Sequence, residues 1–408
     1  MPVSKLVGSI LRHPLILPFY LPALIMAFSM GLLVPVLPLY ARGFGVSYGL
    51  IGLVLAGGSL GMLLGDVPAG MLVRRLGQKG VMLLGLGCIA LSTAALFWAG
   101  SILQAVACRL ITGVGWSLYA VSRHAYIADT IRLRLRGRAI ALLGGLFRIG
   151  RFAGPWIGGK VAARYGLQVP FLLFAGACGL ALLIIVVFLP TARKAGRRDP
   201  CAPKSHGDGL LSTLRTHYGV LASAGAAQLF AQMIRTGRAA IIPLYAADVI
   251  GLDVEAIGLL VSLASAIDMS LFYPAGLIMD RLGRKCAIVP SFLIQAVAMS
   301  LVPLTGSFVS LLAVAALIGL GNGLGAGSMM TLGADLAPQA SRGEFLGIWR
   351  WIGDVGSTGG PLIVGAVADL VVLPTAAWVM SGAGLIAAMI FALLVPETLK
   401  RQRPRPTG

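Results

Sequence analysis

Ten ionisable side chains sit inside long apolar runs, where an ion is costly. They are Asp66, Asp268 and Asp354, with Arg109, Arg123, Arg148, Arg151, Arg235, Arg238 and Arg350. A carboxylate in such a place pairs with an arginine, or takes up and releases a proton as its surroundings change. An arginine there recognises carboxylate or phosphate through its paired donors. Nothing beside them suggests covalent chemistry. The five cysteines (Cys88, Cys108, Cys178, Cys201 and Cys286) show no metal spacing and read as free thiols. There is no nucleophile–base set and no G-x-x-x-x-G-K-[ST] phosphate loop. The expectation is therefore a protein that is not an enzyme, has no cofactor and is not driven by ATP.

The elements that must hold these charges are membrane spans. Of 408 residues 58% are hydrophobic and only 12% charged, against about 25% in a soluble domain. A spanning helix needs about 20 mostly apolar residues. With Gly, Pro and charge clusters as punctuation, twelve spans result: 15–40, 48–73, 80–100, 102–127, 137–164, 168–190, 217–246, 254–279, 286–305, 308–333, 342–368 and 372–396. The expected fold is an all-α membrane protein of 12 transmembrane helices in two pseudo-symmetric six-helix bundles. Residues 1–190 form the first bundle, 191–216 a basic linker, and 217–408 the second bundle with a basic tail.

The net charge of +19 would suggest nucleic acid in a soluble chain, but here it encodes topology. With both termini inside, 23 of the 33 Lys and Arg fall in cytoplasmic segments and three (Arg42, Lys160 and Arg164) on the other side. The remaining seven are the in-span arginines. The expected setting is a bacterial inner membrane, with both termini cytoplasmic, a monomer and no nucleic-acid partner.

The two halves repeat at a constant offset of 206. Pro68-Ala69-Gly70 recurs as Pro274-Ala275-Gly276, Leu76-Gly77 as Leu282-Gly283, Ala128-Asp129 as Ala334-Asp335, and Gly154-Pro155 as Gly360-Pro361. Six spans per half give both copies one orientation, so the repeat axis runs along the membrane normal. The loop Gly276-Leu-Ile-Met-Asp280-Arg281-Leu-Gly283-Arg284-Lys285 resembles the G-x-L-x-D-R-x-G-R-K signature of the major facilitator superfamily. Its repeat copy is Gly70-Met-Leu-Val-Arg74-Arg75-Leu-Gly77-Gln78-Lys79. Arg109-x-x-x-Gly113-x-Gly115 is similar to a second motif of that family. Gly150-x-x-x-Gly154-Pro155-x-x-Gly158-Gly159 is similar to a motif of its drug–proton antiporters. The resemblance implies a single-chain secondary transporter whose spans 1, 4, 7 and 10 line a cavity, with span 2 against span 11 and span 5 against span 8.

Roles follow for particular residues. The seam pairing suggests Asp66 with Arg350 and Asp268 with Arg148 or Arg151. Proton coupling is assigned to Asp66, Arg109, Asp268 and Asp354, with Asp66 the first choice as carrier because it lies near the seam. The substrate cavity is assigned to Trp116, Tyr119, Arg148, Arg151, Gln232, Arg235, Arg238, Asn322 and Arg350. The excess of in-span arginines points towards an anionic or carboxylate-bearing substrate. Gating is assigned to two ion pairs that close the cytoplasmic side in the outward-open state. One is Asp280–Arg138, and its repeat-related copy with the signs exchanged is Arg74–Glu344. Gating also falls to the face of Gly150, Gly154 and Pro155, read as a smooth seam on which the halves rock.

The function expected is alternating-access transport of a small molecule across the bilayer. Proton-coupled efflux of small amphipathic or anionic compounds leads. A proton symporter importing a small organic anion, and a non-transporting receptor or scaffold, are the alternatives.

Overall fold

The computed structural model describes residues 19–130, 133–189, 216–338 and 341–399, without the side chains of 128 and 133–142. Its helices are α1 (Leu21–Arg42), α2 (Tyr48–Ala95), α3 (Ile102–Thr130), α4 (Leu133–Tyr165), α5 (Val169–Phe188), α6 (Tyr218–Tyr245) and α7 (Val254–Ser270). There follow α8 (Phe272–Arg281), α9 (Arg284–Leu301), α10 (Phe308–Leu324), α11 (Ser328–Leu336), α12 (Arg342–Leu370) and α13 (Leu373–Leu393). The described residues are helices and short connections, with no strand among them.

Eight helical stretches are long and apolar enough to cross a bilayer by composition alone. One of them, Tyr48–Trp98, has 51 residues, which at about 1.5 Å per residue is more than twice the hydrocarbon thickness. It contains two crossings that meet at Gly77, whose φ of 76° breaks the helix where only glycine is at ease. Helices α4, α6 and α12 fall outside the eight; each carries in-span charge that lowers its hydropathy. Pairing α7 with α8 and α10 with α11 as single crossings gives a path consistent with twelve passages. The linker reading falls on 191–216, all but Thr216 outside the described residues.

The repeat survives in three dimensions. Lys79 Nζ donates to the Val186 carbonyl at 2.9 Å, and Lys285 Nζ, 206 residues on, donates to the Ala392 carbonyl at 2.8 Å. Gln78 bonds Asp129, and the equivalent Arg284 bonds Asp335 at 3.0 Å. The signature loops thus tie each half's helices together at the basic-loop end. Glu397 strengthens the second tie by accepting from the backbone N–H of Arg284 and of Lys285, the first residues of α9.

Within each half, α1 lies on α4 and α6 on α12; between halves, α2 meets α12 and α4 meets α7. These are the seam pairs implied by the resemblance. Each seam is built from glycine against backbone. A methyl on Gly258 of α7 would lie 2.5 Å from the Pro155 carbonyl oxygen and 3.1 Å from Gly159 Cα of α4. On the other seam Gly52 abuts the Pro361 carbonyl, and Gly365 abuts Tyr48 and Gly49. All these contacts lie away from the basic loops. Nearer those loops, Gly70, Gly276, Gly144, Gly145, Gly343 and Gly347 would meet nothing within 4 Å among the described residues. The halves are closed at one end and parted towards the basic-loop end.

One expectation is corrected here. Gly150, Gly154 and Gly158 do not face the seam. They pack on Ala27, Gly31 and Leu32 of α1, inside the first half. The seam contact on α4 belongs to the neighbouring face, through Pro155 and Gly159. The second half repeats the division, with Gly356 and Gly360 on α6 and Pro361 and Gly365 at the seam. Periodicity showed one small-residue face; it could not say which helix covered it.

Gly258→Ala should force the closed end apart, lengthening the distance between spin labels at exposed positions 165 and 249 in a cysteine-replaced background. Gly154→Ala should leave that distance unchanged and lower thermal stability, since overpacking against backbone costs about 1–3 kcal/mol. Burial pulls the Glu397 carboxyl upward, but the backbone donors of Leu399, Lys285, Arg284 and Thr398 outweigh it and hold it below the ordinary 4.5. Its contribution to stability is therefore complete above that value and is lost as pH falls through the lowered one. Glu397→Gln should lower the melting temperature in detergent at neutral pH, and the gap to the parent protein should shrink on acidification.

Candidate functional site

The in-span charges gather where the seam stops being closed. Counting along α2 at about 1.5 Å per residue, Asp66 lies roughly 20 Å beyond the Gly52 contact. There Arg350 of α12 grips it with two bonds, Nε to Oδ2 at 3.1 Å and Nη2 to Oδ1 at 3.2 Å. Ser117 of α3 also donates to Asp66. The same guanidinium lies 3.8 Å from Asp354, one turn along its own helix. Asp354 Oδ2 is buried and accepts no hydrogen bond among the described residues. Two carboxylates therefore share one arginine, and only Asp66 is well bound.

On the other seam Arg148 Nη1 donates to Asp268 Oδ1 at 2.8 Å and more weakly to its backbone carbonyl at 3.3 Å. The Arg148 guanidinium also lies over the Phe272 ring, 4.7 Å from its centroid. Asp66 and Asp268 are 202 residues apart, as are Arg350 and Arg148. The offset is one helical turn short of 206. The two bridges are thus related by the repeat but stand one turn apart in depth, with Asp268–Arg148 nearer the closed end.

Below that second bridge lies a half-open cavity of about 90 Å³, walled by Arg151 of α4, Arg238 of α6, Asp268 and Ser265 of α7, and aliphatic residues of α1, α6, α7 and α10. Arg235 and Arg238 are close enough to Asp268, Arg148 and Arg151 for their charges to interact. Arg235 donates to the Gly325 carbonyl at 3.2 Å and lies over Phe292. Its Nε has no partner among the described residues. Four arginines from both halves thus surround one carboxylate.

Other expected site residues stand apart. Tyr119 is 1% exposed, a packing residue beneath Arg123 with Trp116 edge-on to it. Of the residues expected to line a cavity, Arg151 and Arg238 are among these walls, and Trp116, Tyr119, Arg148, Gln232, Arg235, Asn322 and Arg350 are not. Gln232 and Asn322 share helix faces with Ala239 and Gly319 but lie two turns and one turn farther towards the basic loops, and α3 contributes no wall. Arg109 is packed against Gly57 and Gly58 of α2 and reaches none of the three in-span acids. The Asp280–Arg138 latch involves a side chain, Arg138, outside the described residues. Asp280 is 75% exposed and paired with Arg284 at 2.9 Å. Arg74 is exposed and forms no ion pair with Glu344 among the described residues. Both latches belong to the end at which the halves are parted. The four described cysteines are free; Cys201 lies outside the described residues.

The sequence reading missed the latches of the closed end. Asp369, at the end of α12, accepts from the backbone N–H of Tyr48 at 2.7 Å and of Gly49 at 2.8 Å. It caps α2 from the opposite half. Ser47, the N-cap residue of α2, makes no capping bond, whereas its repeat partner Asp253 caps α7 locally through Ala256 N–H at 2.9 Å. Asp248 holds Arg42 and accepts from the Tyr48 hydroxyl at 2.8 Å. The available signal was the placement of these acids at the ends of spans. Asp369→Ala should speed amide exchange of residues 48–51 and leave 254–257 unchanged, since losing a helix cap costs about 1 kcal/mol.

Similarity to known proteins agrees with this architecture. The family model described as Major Facilitator Superfamily matches residues 19–217 and 224–407. An uncharacterised MFS-type transporter of Methanocaldococcus jannaschii is 23% identical over 353 residues, 84% of this chain and 88% of that protein. Multidrug resistance protein 2 of Bacillus subtilis is 28% identical over 161 residues, 40% of each chain. Among solved structures, a D-xylose-proton symporter superposes with a TM-score of 0.74 at 17% identity, covering 93% of this chain and 96% of its own. With helices that cross a bilayer, a glycine-lined seam between repeated halves and a charged cavity at that seam, the chain is a multi-pass membrane transporter and belongs to the Major Facilitator Superfamily.

Proposed function

We propose that this transporter exports small amphipathic or anionic compounds by exchanging them for protons, through alternating access in a bacterial inner membrane. The observation that carries the proton half of this reading is the shared arginine: Arg350 serves both Asp66 and Asp354 and satisfies only one. Asp66 is held by Arg350 and Ser117, so Asp354 rather than Asp66 is the carrier. A proton on Asp354 relieves the repulsion between two carboxylates and removes the charge of the one that Arg350 holds less well. Separation of α2 from α12 breaks the Asp66–Arg350 bond, releases Arg350 to Asp354 and favours loss of that proton. Proton binding and seam opening are then one equilibrium seen from two sides.

With the basic loops cytoplasmic, the conformation described is open inward and sealed outward. The family match supports transport, and the partial match to a multidrug resistance protein supports export. The Gly-Pro pattern of α4 supports it as well, through its resemblance to drug–proton antiporters.

The test uses purified protein in liposomes. Asp354→Asn should abolish accumulation driven by an imposed pH gradient, by at least tenfold, and keep substrate-for-substrate exchange within about twofold. Ser117→Ala should weaken both modestly. Unaltered gradient-driven flux in Asp354→Asn would remove that residue from coupling. Flux that runs with the proton rather than against it would replace export by symport.

A further inference from the structure

We infer that the cavity beneath Asp268 is a binding site for organic monoanions with an apolar body, bridged by Arg151 of the first half and Arg238 of the second. This rests on the transport reading above and names the substrate class of its cavity. The inference starts from unspent charge. Four arginines converge there, and the one acid among them, Asp268, is already bonded to Arg148. Arg235 is partly satisfied by the Gly325 carbonyl. Arg238 makes only a long 3.4 Å bond, from Nε to the Arg235 carbonyl. Arg151 makes no hydrogen bond or ion pair among the described residues, and both Arg151 and Arg238 line the cavity.

The remainder of the wall sets the shape of the ligand. Leu260, Val261 and Ala264 precede Asp268 on α7 by one to two turns, towards the closed end. Val34, Ile242 and Ile318 face the same space. The arginines thus mark one end of the cavity and aliphatic side chains the other. A cation would meet the two uncompensated positive charges of Arg151 and Arg238. A neutral compound would leave the arginine donors unused. A molecule with one carboxylate, sulfonate or phosphate head and an aliphatic or aryl body satisfies both ends, and the half-open wall leaves room for the body to extend out of the cavity. A carboxylate is also the group whose two oxygens can take one arginine each. Because these two arginines belong to different halves, the anion joins across the seam what the protein itself leaves unjoined.

Binding to the purified full-length protein in detergent at pH 7 tests this without any gradient. The probes are benzoate, 4-phenylbutyrate and octanoate, each against its amide and its amine. Calorimetry should show at least one acid binding tenfold or more tightly than its matched amide, with the amines weakest. Arg151→Gln and Arg238→Gln should each weaken that acid at least tenfold and leave its amide within twofold. Arg238→Lys should restore part of the loss, which separates charge recognition from misfolding. Equal or tighter binding of the amines, no acid preferred over its amide, or acid binding indifferent to both Gln substitutions would overturn the inference. Acid binding without proton-driven flux would overturn the coupling above and leave this site standing. Proton-driven flux of amines alone would do the reverse.

Discussion

Two halves of this chain touch through backbone. At the closed end of both seams a glycine faces a carbonyl or another glycine of the opposite half. This close approach fixes much else. It sets the distance at which Arg350 can reach Asp66 and Arg148 can reach Asp268, because each bridge lies farther along the same helix pairs. It also determines where the halves begin to part. Beyond the bridges the glycines meet nothing, so the charged residues stand at the fork of a wedge. A bridge at a fork is sensitive to small rotations, since it breaks first as the wedge widens and re-forms last as the wedge closes.

The duplicated architecture has been used twice for different ends. The ancestral relation survives in the acid–arginine arrangement of both seams, displaced by one helical turn. On the α2–α12 seam a second acid, Asp354, competes for the arginine. On the α4–α7 seam the repeat-equivalent residue is Arg148 itself, and the local excess is positive. One seam thus carries a surplus carboxylate and the other surplus guanidinium. The pseudo-symmetry places the two opposite surpluses at comparable depth, one helical turn apart.

Much of this was legible in the sequence for a specific reason. Two copies of one motif set in a single chain expose their spacing, so the offset of 206 could be read directly, while the seam partners came from the family resemblance. The Asp66–Arg350 contact followed from those partners, and for Asp268 they left Arg148 and Arg151, between which the structure selects Arg148. What stayed hidden depended on rotation about a helix axis. The face of Gly150, Gly154 and Gly158 was visible as a stripe, but its neighbour was α1 rather than the other half. Gln232 and Asn322 show a different limit, depth, because they share faces with wall residues of α6 and α10 but lie one to two turns beyond the cavity. Asp369 was hidden by distance, because its bonds to Tyr48 and Gly49 join residues more than 300 positions apart and involve only backbone on one side. The expected latch residues Arg74 and Glu344 illustrate a further limit, since sequence can name a pair but one conformation shows only the contacts made in it, and these two form no ion pair among the described residues.

The borrowed cap on α2 has a consequence for opening. A charge-assisted hydrogen bond contributes about 1.5–3 kcal/mol when intact, but these two amides lie at the outer rim, where water replaces the departing carboxylate. Breaking both together disfavours opening by a factor of about a hundred to ten thousand. The α7 start, capped by its own Asp253, keeps its local cap throughout. Both lips are fastened, the α4–α7 lip by the Trp156 N–H to Ser262 Oγ bond, but only the α2–α12 fastening is also a helix cap. The α2–α12 lip therefore uncaps the start of α2 as it opens, whereas the α4–α7 lip parts with α7 still capped.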